Sequence, residues 1–71
     1  PWAHAYVLRD GIVMLFNQDA ERPFIAFFDR DGRRLFRIDN AKAPLDVTWS
    51  ASGLAVVHSF GQTSVVLLPG S

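Results

Sequence analysis

Glycines stand at positions 11, 32 and 53 of this 71-residue chain, a constant step of 21. Each ends a pair of turn-forming residues: Asp10-Gly11, Asp31-Gly32 and Ser52-Gly53. Aspartate and serine tolerate turn backbone and glycine supplies positive φ. Apolar, β-branched or aromatic residues flank every pair, so each reads as the tip of a β-hairpin. The spacing sets the plan of the chain: short strands of similar length, joined by tight corners.

Helical periodicity is poor. Apolar residues come in short solid blocks rather than at i, i+3, i+4, and Gly or Pro punctuates the intervals. The blocks are rich in Val, Ile, Phe, Trp and Tyr, which favour packed, pleated surfaces. Seven strands are predicted: Ala3–Leu8, Ile12–Phe16, Phe24–Phe28, Arg34–Ile38, Val47–Ser50, Leu54–Ser59 and Ser64–Leu68. Pro23 would open the third, where its missing N–H costs no interior ladder bond. Asn17–Arg22 and Asp39–Pro44 are polar connections, and Phe60-Gly61-Gln62-Thr63 is a tight one.

A second self-similarity overlies the first. A shift of 42 places Gly11 on Gly53, Ile12 on Leu54, Met14 on Val56, Leu15 on Val57 and Val7 on Trp49. With two residues dropped from the connection, Phe24–Phe28 matches Ser64–Leu68. The unit is therefore four strands, complete over residues 1–42 and carried through three strands over residues 43–71, within one domain.

A domain this small buries only about 60% of its unfolded surface, and no cysteine is present to staple it. Seven acidic and seven basic residues cancel, which gives no electrostatic reason to expect nucleic acid or an anionic membrane. No apolar run approaches the roughly 18 residues of a membrane span, no signal-peptide pattern opens the chain, and the compartment is left undetermined. Pro1 without a preceding Met fits a trimmed initiator or a cut fragment.

All the charges lie between Arg9 and Asp46, and from Val47 to Ser71 the only titratable side chain is His58. So long an uncharged stretch is expected to pack on something. Ile12–Phe16, Phe24–Phe28, Leu54–Val57 and Val65–Leu68 do not alternate apolar with polar residues, and they read as strands buried on both faces. Arg33–Asp39 and Asp46–Ser50 alternate better, as strands at a rim do. Seven strands cannot cover both their own faces, so the pattern asks for more sheet than this chain holds.

The run Phe24-Ile25-Ala26-Phe27-Phe28-Asp29-Arg30-Asp31-Gly32, continued by Arg33–Ile38, resembles the third and fourth strands of a β-propeller blade. Asp46–Val57, with its Trp49-Ser50-Ala51-Ser52-Gly53 corner, is similar to the opening of the next blade. The resemblance is to blade repeats of the WD40, NHL and TolB-like kind, although no Gly-His or Trp-Asp pair appears. It implies an all-β fold of four-stranded antiparallel meander units, roughly one and three-quarter blades, acting as a non-enzymatic scaffold or protein-interaction module. Protein partners would be other blades of a parent chain or identical copies. Two alternatives stay open. One is part of a hydrolase or oxidoreductase propeller whose catalytic residues lie elsewhere; the other is a free-standing small β-barrel or sandwich.

Candidate chemistry is sparse. Asp29-Arg30-Asp31-Gly32 has the start of a calcium loop, but Arg33-Arg34 follow with the wrong sign, so a hairpin corner is expected. His4 and His58 lack the neighbours of a metal set. Asp46, His58 and Ser50, Ser52 or Ser59 supply the residue types of a triad without a strained Gly-x-Ser-x-Gly elbow. A catalytic N-terminal proline would need a βαβ chain, and no helix is read. No catalytic residue, metal or cofactor is expected. Arg30, Arg33, Arg34 and Arg37 lie beside Phe27, Phe28 and Phe36, interleaved with Asp29, Asp31 and Asp39. With Trp2 and Trp49 they form the candidate interaction patch, a protein-binding surface or a solvated strand edge rather than a nucleic-acid site. In a regular strand Arg33, Leu35 and Arg37 would share one face and Arg34, Phe36 and Ile38 the other.

Overall fold

The computed structural model describes residues 3–18 and 21–66. The structure is all-β, with antiparallel sheets of four and three strands. The first comprises β1 (Ala3–Val7), β2 (Val13–Asn17), β3 (Phe24–Phe28) and β4 (Arg34–Asp39), side by side in chain order. The second comprises β5 (Pro44–Trp49), β6 (Ala55–Ser59) and β7 (Gln62–Val66), also in chain order. The chain divides into two compact units, Pro1–Ala41 and Lys42–Ser71, one around each sheet.

The step of 21 is a recurrence of hydrogen bonds. Leu8 donates to Ile12 O at 2.7 Å, Asp29 to Arg33 O at 3.0 Å, and Ser50 to Leu54 O at 2.8 Å. In the last two loops Gly32 donates to Asp29 O and Gly53 to Ser50 O, each at 3.0 Å, with Gly32 at φ 83 and Gly53 at φ 85. A three-residue loop that turns tightly and then needs one left-handed residue to rejoin the ladder explains glycine there.

The shift of 42 recurs as register. Tyr6↔Met14 and Val7↔Val13 in the first sheet become Thr48↔Val56 and Trp49↔Ala55 in the second. The third strand is displaced from expectation: β7 spans Gln62–Val66, because the β6–β7 connection is only Phe60-Gly61, four residues shorter than Gln18–Pro23. Leu67 and Leu68, read as the end of that strand, lie outside the described residues, as does Trp2.

Alternation gives each sheet two faces. On the first, His4, Tyr6, Met14, Phe16, Ile25, Phe27, Phe36 and Ile38 form a front; Ala3, Ala5, Val7, Val13, Leu15, Phe24, Ala26 and Phe28 form a back. Tyr6, Met14, Phe27 and Phe36 make one row across all four strands, and its two central members are fully buried. Among the described residues the expectation of burial on both faces holds at the centre of β3, where Ile25 and Ala26 are each 1% exposed and Phe27 is 0% exposed. Ala26 is small and lies between Leu15 and Arg37, the larger residues registered on either side of it. Elsewhere one face wins: in β2 Met14 and Phe16 are buried while Val13 and Leu15 are half-buried.

The second sheet reverses this choice. Ala55 and Val57, the counterparts of Val13 and Leu15, are buried there, and His58, the counterpart of Phe16, is half-buried. Substitution explains the reversal. His4, Tyr6 and Phe16 of the first front are replaced by Asp46, Thr48 and His58, which water solvates, whereas Val47, Trp49, Ala55, Val57 and Val66 keep one end of the second back apolar, with Ser59, Gln62 and Ser64 at the other.

Candidate functional site

The arginine patch is organised by a defect in β4. Phe28 is registered with Arg34 but Phe27 with Phe36, so Leu35 is an extra residue opposite one step of β3. Such a bulge turns the residues before it over. Arg34 therefore leaves the face of Phe36 and Ile38, where regular alternation puts it, and joins Arg37 and Asp39. Together with Glu21, Arg22 and Asn40 they line an open depression of about 740 Å³.

Arg37 is fixed from two sides. Its Nε donates to Asp39 Oδ1 at 2.8 Å, and its guanidinium lies 3.9 Å from the centre of the Phe24 ring. The geometry suits cation–π attraction, and registry explains it: Phe24 is directly opposite Asp39, with Arg37 two residues along on the same side. At 39% and 70% exposure the Arg37–Asp39 pair orients side chains more than it stabilises the fold. Three guanidinium groups and two carboxylates line the depression, an excess of one positive charge. Among the described residues Arg22 and Arg34 make no ion pair.

The other members of the patch go elsewhere. Arg30 folds over the β1–β2 turn, its Nη2 3.5 Å from Asp10 O. A Cβ built on Gly11 would meet the Arg30 Cβ and Nε at 3.2 Å. Arg33 belongs to the β3–β4 loop, where its N–H and carbonyl both bond to Asp29. Trp49 ends β5 opposite Ala55, half-buried, in the second unit. Sequence reasoning missed Glu21, Arg22 and Asn40. Asn40 at φ 53 and the Ala41 N–H bond to Pro23 O bring the loop ends before β3 and after β4 together, a pairing with no local sequence signal.

The remaining candidates are engaged locally. Asp29 Oδ1 accepts the backbone N–H groups of Asp31 and Arg33, each at 2.9 Å, which makes it the lock of a hairpin corner. Among the described residues no group of three or more His, Asp or Glu is arranged to hold a metal ion. His4 Nε2 is 3.2 Å from Gln18 Oε1, and its ring stacks on Phe16. Asp46 and His58 face each other across β5 and β6, but the hydroxyl on His58 Nε2, at 2.8 Å, belongs to Thr48. Ser50 Oγ instead accepts the Leu54 N–H at 3.0 Å. No helix among the described residues is long and apolar enough to cross a membrane.

Comparison with protein-family models, with curated proteins and with solved structures finds no match to this chain.

Proposed function

We propose that this chain is a non-enzymatic scaffold and protein-interaction piece built from β-propeller-type blades, one of four strands and one of three. Its partners are proteins, either other blades of a parent chain or identical copies. One observation carries the reading: through the middle of β2 and β3 the first sheet is apolar on both faces, yet its back is only half covered. Val13, Leu15, Phe24 and Phe28 are half-buried there, and Val7 is 81% exposed. A strand with one wet face alternates apolar with polar residues, and Val13–Phe16 and Phe24–Phe28 do not. A contiguous apolar patch of that kind marks a contact surface.

The repeat itself supplies the complementary half. Equivalent faces are buried at the front in the first unit and at the back in the second, so the unit has the chemistry to be covered on either side. Repeats of that character suit stacking, in which each is covered by the next. The titratable groups support a non-catalytic reading: Asp29 and Asp46 accept backbone N–H groups, Arg37 holds Asp39, and His58 bonds Thr48.

Light scattering tests this. The wild-type chain is expected to self-associate, with a mass that is a multiple of the single chain. Leu15→Glu puts a charge at the middle of the uncovered back and is expected to restore the single-chain mass with an unchanged far-UV circular dichroism spectrum. A well-folded wild-type monomer at millimolar concentration would refute the stacking reading.

A further inference from the structure

We propose that β4 is the docking edge for an extended acidic segment of a protein partner. The segment's backbone pairs along β4, and one of its carboxylates seats between Arg34 and Arg37. This rests on the interaction-module reading only in taking the partner to be a protein. It needs no second copy of the chain.

Four observations converge. First, β4 is the last strand of its sheet, exposed along its length apart from half-buried Leu35 and Ile38, so alternate backbone groups face outward without a ladder partner. Second, the bulge at Leu35 gathers Arg34 and Arg37 on one side of that edge, while Phe36–Asp39 stay in regular register. Third, the Arg37 guanidinium is held in advance by Asp39 and Phe24, and Arg34 has no ion pair among the described residues. A planar donor fixed before binding loses little freedom when a carboxylate takes its remaining N–H groups. Fourth, Glu21 and Asp39 line the same depression and leave an excess of only one positive charge. A polyanionic nucleic-acid backbone is repelled by those carboxylates. A peptide that sends one carboxylate into the depression is matched by the single excess positive charge and is repelled far less.

Strand addition fits the dimensions. A strand added to β4 presents every second side chain to the side where Arg34 and Arg37 lie, so an acidic residue at alternate positions reaches them in either direction of pairing. The affinity comes from the backbone ladder, and the choice of partner comes from the two arginines.

The test uses the whole chain and a fluorescent ten-residue peptide of alternating threonine and glutamine with a single central glutamate, followed by anisotropy at low salt. Saturable binding is expected. Arg34→Gln, at an exposed position, is expected to weaken it roughly tenfold or more, with an unchanged far-UV spectrum. Replacing the peptide's glutamate by glutamine should do the same. Methylating the peptide's backbone nitrogens on one alternate set should abolish binding, and on the other set leave it intact. Hydrogen exchange should slow at Phe36–Asp39. All of this is expected to survive in Val7→Glu, which also charges the uncovered back but three strands away from β4, so failure of the stacking reading and failure of this one are separable. Absence of saturable binding at millimolar peptide, equal binding by both methylated peptides, or tighter binding of a ten-residue oligothymidylate would each overturn the proposal.

Discussion

Phe27→Ala is expected to remove roughly half of the chain's stability. Among the described residues the Phe27 side chain is the largest that is fully enclosed, with 0% of it exposed, and it sits in the row formed with Tyr6, Met14 and Phe36. Removing a buried phenylalanine costs about 3–5 kcal/mol, part lost transfer energy and part cavity. Folded domains hold about 0.05–0.15 kcal/mol per residue, so 71 residues carry about 4–11 kcal/mol in total. The loss is about half of the middle of that range and nearly all of its lower end. Phe60, at the β6–β7 turn and 77% exposed, is the control: Phe60→Ala should change stability by about 0.5 kcal/mol or less. Urea titration followed by circular dichroism reads both. A Phe27→Ala chain that melts within about 1 kcal/mol of wild type would mean the row is not a core.

That core was legible in the sequence as a segment but not as a face. Phe24-Ile25-Ala26-Phe27-Phe28 is apolar throughout, and a solid run names a strand without saying which side is inside. The side is decided by neighbours: Met14 and Phe16 on β2 lie in register with Phe27 and Ile25, and that relation is set by pairing across the hairpin. The corners were the most legible feature, because each glycine is demanded by its own backbone angle and not by distant contacts. Strand ends were read less well at Pro44-Leu45-Asp46. There a register shift in β5 breaks the alternation, and a charged residue two positions after a proline imitates a loop.

The candidate site divides along the same line. Arg34 and Arg37 were found by composition, but regular alternation placed them on opposite faces. The bulge that brings them together leaves no mark on the residues themselves, since Arg34-Leu35-Phe36-Arg37 is an ordinary strand sequence. Glu21, Arg22 and Asn40 lie outside the strands and meet β4 only because the loop after it bends back onto Pro23. Local chemistry is read from sequence; convergence depends on pairing.

Asp29→Ala is expected to destabilise the chain by about 1–2 kcal/mol, and Ser50→Ala by about half as much. The two residues hold equivalent positions 21 apart, before Gly32 and Gly53, and both close their loop by donating to the carbonyl four residues on. They differ in what the side chain does. Asp29 Oδ1 accepts two backbone N–H groups, from Asp31 and Arg33, whereas Ser50 Oγ accepts only that of Leu54. A charged acceptor with two donors makes the stronger lock, although exposure to water reduces the gain. Asn keeps an oxygen in the same place without the charge, so Asp29→Asn should recover about half of the loss caused by alanine. Gly32→Ala acts separately, because no atom lies within 4 Å of the added methyl and its cost, about 1 kcal/mol, is backbone strain alone at φ 83. Thermal melts of the four variants would rank them. If Asp29→Ala and Ser50→Ala melt together, the carboxylate adds nothing beyond a hydroxyl, and the corner is held by glycine geometry rather than by its side-chain lock.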